Sequence, residues 1–76
     1  MAKYKINLVT MSDVKGFTDV CGSLAHNIHL TDGKGYRVSA KSLLGAMAAL
    51  EWDELYCESE EDIYMLIEKY IQGENY

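Results

Sequence analysis

The stretch Val38-Ser39-Ala40-Lys41-Ser42-Leu43-Leu44-Gly45-Ala46-Met47 decides how the chain is read. Val38 and Ala40 are separated by one polar residue, the period of a strand, whereas the apolar run after Ser42 has no such alternation. A serine in front of such a run can accept a hydrogen bond from a free N–H of the first turn. Ser42 is therefore expected as the N-cap of a short helix running to Leu50. Apolar residues surround this helix instead of forming one stripe, so it cannot bury all of them against a single sheet. The larger ones are expected inward, with Leu44, Met47 and Leu50 in the core and Leu43 the most exposed.

Working outward toward the N-terminus, Tyr36, Val38 and Ala40 form one strand, Asp32-Gly33-Lys34-Gly35 a hairpin loop, and Ile28 and Leu30 the partner strand. His29 alternates with Ile28 and Leu30 and is expected on the face away from the core. Val14, Phe17, Cys21, Leu24 and Ala25 lie on one helical stripe, with Ser12 and Asp13 as its start. Gly16 and Gly22 weaken that helix, so packing must hold it. Tyr4, Ile6 and Leu8 alternate with Lys5 and Asn7 as a first strand. Toward the C-terminus, Leu55 and Cys57 mark a fourth strand. Ser59-Glu60-Glu61-Asp62 reads as a capping box for a helix with a core stripe of Ile63, Leu66, Ile67, Tyr70 and Ile71, ended by Gly73. The order is βαββαβα. A tight hairpin within a mixed chain predicts an α+β fold with a four-stranded antiparallel sheet and three helices on one face.

A chain of 76 residues, 49% of them hydrophobic, makes one domain spanning 1–76 with no space for a large enclosed active site. Acidic residues outnumber basic ones 12 to seven, for a net charge of −5. The imbalance is uneven: residues 1–38 carry five basic and three acidic side chains, residues 39–76 two and nine. Nucleic acid and anionic membranes are poor partners for such a chain. No apolar run is long enough for a signal peptide or a membrane span, so a cytoplasmic location is expected. Cys21 and Cys57 form no Cys-x-x-Cys pair and read as buried thiols, with no metal or cofactor expected. Glu58, Glu60, Glu61 and Asp62 read as complements to a helix dipole and not as calcium ligands. Trp52 is expected to close the short helix against the sheet edge.

With this order in place, the opening stretch resembles the middle of HPr, the histidine-containing phosphocarrier family of the bacterial sugar phosphotransferase system. In that family a strand ends in a Lys-Ser pair, followed by two large aliphatics, Gly, a small residue and Met. The resemblance implies an open-faced β-sandwich. The family's chemistry resides in a Gly-x-His-Ala-Arg-Pro motif at the start of the first helix, where an imidazole takes a phosphoryl group beside free N–H groups. Laying Val14, Phe17, Cys21 and Leu24 over the family's core positions puts Thr10 or Met11 at the histidine, Ser12 at the arginine and Asp13 at the proline. Nucleophile and guanidinium are both missing. His26 lies about 12 residues further on, roughly 18 Å away along a helix and at its negative end. It and His29 are expected as surface histidines. Thr10 or Ser12 could accept phosphate, but no base adjoins them and Asp13 adds like charge.

The resemblance implies a second role for Ser42. In Gram-positive members the serine at this position is phosphorylated by an ATP-dependent kinase, and the modified protein serves carbon catabolite control. The catabolite-repression HPr-like proteins lack the histidine and keep the serine. Read from the residues alone, Ser42 is an N-cap worth about 1 kcal/mol. Aliphatics after the serine form a docking patch in the family, which makes Leu43, Leu44 and Met47 candidate partner-binding residues. The resemblance thus leads to a non-enzymatic regulatory or protein-interaction module, with an HPr-type kinase or a catabolite-control regulator as partner. Two alternatives stand beside it: a phosphocarrier using Thr10 or Ser12, and an HPr-fold binding protein of unrelated function.

Overall fold

Side-chain alternation fixes four short strands, and helical apolar spacing fixes the segments between them. The computed structural model describes residues 1–72. In chain order they form β1 (Ala2–Lys5), α1 (Met11–Gly22), β2 (Ile28–Thr31), β3 (Arg37–Ser39), α2 (Leu43–Ala49), β4 (Tyr56–Ser59) and α3 (Tyr64–Ile67). A 3-10 turn over Glu68–Tyr70 follows. The strands lie in the order β1-β4-β2-β3, every pair antiparallel. This is the α+β, βαββαβα open-faced sandwich that the sequence predicts. No helix among the described residues is long and apolar enough to cross a membrane.

The register sorts the sheet residues into two faces. Tyr4, Cys57, Leu30 and Val38 lie abreast on the helix side, and one residue along Lys3, Glu58, His29 and Ser39 lie abreast on the open side. The helices cover the first set. Val14, Phe17 and Cys21 of α1 pack with Ile28, Leu30 and Cys57 of the sheet and with Ile63, Ile67 and Tyr70. Phe17 and Tyr70 meet edge to face, with centroids 5.5 Å apart. The β2–β3 loop turns on two glycines at positive φ, Gly33 (78°) and Gly35 (123°). Asp32 Oδ1 accepts from the N–H groups of Lys34 and Tyr36 across the turn.

Local details depart from expectation where two signals compete. The N-cap of α1 is Thr10, not Ser12: Thr10 Oγ1 accepts from Asp13 N–H at 3.1 Å, and Asp13 Oδ2 accepts from Thr10 N–H at 3.2 Å. Thr10 has a reciprocating acid three residues on, whereas Ser12 has Lys15 there and can form no capping box. The helix stops at Gly22, leaving Leu24 half-buried and Ala25 exposed. Strand β1 ends at Lys5, and Ile6 continues only as an isolated bridge to Ile71. Tyr36 and Ala40 fall outside β3.

The C-terminal helix is also shorter than its apolar stripe suggests. Ser59 remains in β4, and α3 starts after Ile63 with no side-chain cap. Leu66 is exposed, and Ile71 turns extended to pair with Ile6. Tightening into a 3-10 turn seats Tyr70 in the core and lets its carbonyl accept from Asn7 N–H at 2.8 Å. Gly73, expected to end this helix, lies outside the described residues.

Candidate functional site

Strand β3 delivers the chain to α2 through a turn that fixes Ser42. Lys41 N–H donates to Ser39 Oγ at 3.2 Å, and the Lys41 ammonium donates to the carbonyl of Leu24 at 2.5 Å, tying the turn to the loop after α1. Ser42 is extended (φ −96°, ψ 117°), and its hydroxyl accepts from Gly45 N–H at 3.1 Å. The expected N-cap is therefore in place, with the serine side chain exposed. A Cβ on Gly45 would stand 3.3 Å from Val38 Cβ and 3.4 Å from the Ser39 carbonyl oxygen, so the first turn of α2 rests directly on β3.

Helix α2 buries only Ala46 and Ala49. Leu44 is 77% exposed, Leu43 43%, Met47 40% and Leu50 36%. This corrects the expected order: Leu44, Met47 and Leu50 are not core residues, and Leu44, not Leu43, projects furthest. Small side chains on the inward face let the helix lie close to the sheet and to α1, which excludes the large ones. Four aliphatics consequently share the outer surface beside Ser42, including the three candidate partner-binding residues.

At the other candidate centre, the start of α1, a carboxylate of the helix itself folds back onto the N-cap. Asp13 accepts from Val9 and Thr10 N–H groups, and these hydrogen bonds hold its carboxyl below the ordinary carboxylate range. A negative charge thus lies at the N-cap, on the two amides just before the helix, where it opposes the approach of a phosphoryl group. Thr10 Oγ1 is engaged in the cap, Met11 is half exposed, and Ser12 is exposed in the first turn.

His29 lies on the open face as expected. His26 is not a free surface histidine, since its Nε2 lies 3.1 Å from the hydroxyl of buried Ser59. That pair spans the register of β2 with β4, which no local pattern announces. Of the acidic run at 58–62 only Asp62 complements a helix start, its Oδ1 accepting from the N–H of Tyr64, the first residue of α3, at 3.0 Å; the others are engaged elsewhere or exposed. Glu58 pairs with Arg37 at 3.4 Å, Glu60 accepts from Asn27 N–H at 3.2 Å, and Asp62 accepts from the Tyr4 hydroxyl at 2.6 Å. Cys21 and Cys57 are free and buried, and burial pushes both thiols up to about 12. Trp52, half-buried beyond α2, stacks on exposed Tyr36 with centroids 6.1 Å apart and planes 17° from parallel. Among the described residues no group of His, Cys, Asp and Glu is placed to hold a metal ion. No protein-family model, curated protein or solved structure matches the chain.

Proposed function

We propose that this chain is an HPr-like regulatory or interaction protein without histidine phosphocarrier activity, acting through the surface around Ser42. The observation that carries the reading is the inversion of α2: its alanines face inward, and Leu43, Leu44, Met47 and Leu50 face out beside an exposed serine. An apolar patch next to a modifiable hydroxyl suits a partner whose binding is set by charge. Phosphorylation would add nearly two negative charges beside the N-terminal N–H groups, where they leave the helix intact while altering the docking surface. An HPr-type kinase or a catabolite-control regulator is the partner class this reading implies.

The start of α1 supports the non-catalytic half of the reading, because the Asp13 carboxylate beside Thr10 adds negative charge where a phosphoryl group would have to approach, and the hydroxyl of Thr10 is engaged in capping. Incubation with phosphoenolpyruvate and the general phosphotransferase enzyme tests it. No acid-labile phosphate is expected on the protein, and stoichiometric transfer would establish a carrier instead.

A further inference from the structure

We propose that the cleft between the β2–β3 loop and the turn following α2 receives an arginine side chain from a basic segment of a partner protein. The cleft measures about 190 Å³ and is lined by the stacked rings of Tyr36 and Trp52. Tyr36 is 69% exposed, a large aromatic surface left open at the sheet edge. Four carboxylates and a single ammonium, that of Lys34, complete the lining. Two of these carboxylates are already used within the protein: Asp32 holds the loop amides, and Glu54 accepts from the Tyr56 hydroxyl at 2.6 Å. Glu51 and Asp53 are exposed, and their carboxylates have no ion-pair or hydrogen-bond partner among the described residues.

Aromatic faces bearing a negative quadrupole, next to free carboxylates, select a cation. Guanidinium fits better than ammonium, because its plane stacks on a ring while its edge donates in parallel to a carboxylate. A protein with a net charge of −5 also draws a basic segment toward itself before contact. This site is separate from the outer face of α2, and it stands or falls independently of the proposed function.

The test uses the 76-residue chain labelled with 15N and the peptide acetyl-Gly-Arg-Gly-Arg-Gly-amide. Saturable shifts are expected at the Trp52 indole N–H, which is unique in the sequence, and at the amides of Tyr36 and Asp53. Replacing arginine by neutral citrulline should abolish them, and the lysine peptide should bind more weakly. Tyr36→Ala should weaken arginine-peptide binding about twofold to fivefold while circular dichroism stays unchanged. If Tyr36→Ala does not fold, Asp53→Asn at an exposed position carries the comparison in its place. Shifts confined to the Glu60–Asp62 side, no shifts at all, equal affinity for lysine, or undiminished binding by the variant would each overturn the proposal.

Discussion

Thr10 and Asp13 illustrate how two residues set both the start of a helix and the charge beside it. Their reciprocal hydrogen bonds start α1 and at the same time place a carboxylate on the Val9 and Thr10 amides. Thr10→Ala should cost about 1 kcal/mol in urea-induced unfolding. The pH dependence has a defined sign. The folded-state pKa of Asp13 is depressed, so its contribution is fully present above the ordinary carboxylate range and is lost as pH falls through the depressed value. The difference in melting temperature between wild type and Asp13→Ala should therefore be largest near neutrality and shrink in acid. Ser42 was legible as a cap because a single hydroxyl precedes its helix. Thr10 was not, because Ser12 offers a competing hydroxyl and the decision rests on which of them finds an acid three residues on.

At the scale of elements, α2 shows that side-chain size misleads when a helix lies close to a sheet. A sequence reading assigns the core to leucine and methionine, yet the side chains that α2 buries are those of Ala46 and Ala49, and its first turn rests directly on β3. Ala49→Leu should accordingly destabilise the fold by about 1–3 kcal/mol, whereas Leu44→Ser should change stability by no more than about 0.5 kcal/mol. Paired urea titrations of the two variants measure this directly, and the reverse ranking would return Leu44 to the core. Gly16 follows the same logic from the other side. Its Cβ would lie 2.6 Å from the hydroxyl of Tyr70, a ring held in the core against Phe17. Gly16→Ala should thus lower the melting temperature although alanine is the better helix former by about 1 kcal/mol. The sequence marked this glycine as a weakness of α1, but the close approach that requires it comes from a turn more than fifty residues away.

Across the whole molecule, the βαββαβα order and the antiparallel sheet were legible because alternation and helical spacing change cleanly at each boundary. The contacts that close the fold were not. Tyr4 to Asp62 and His26 to Ser59 join residues brought together only by strand register, and periodicity carries no record of them. The two cysteines report on this closure. Both thiols are buried and raised to about 12, so each contributes stability present below the ordinary thiol pKa and lost as pH rises toward 12. Native protein should show no thiol reactive toward iodoacetamide at pH 8, both should react after unfolding in urea, and the melting temperature should fall progressively above about pH 9.

The regulatory role proposed for the outer face of α2 is tested most directly by phosphate incorporation from ATP with the bifunctional HPr kinase, measured on wild type, Ser42→Ala and Leu44→Glu. One acid-stable phosphate on wild type, none on Ser42→Ala, and sharply reduced incorporation into a normally folded Leu44→Glu is the expected outcome. Absence of labelling on wild type, or undiminished labelling of Leu44→Glu, would contradict the proposal.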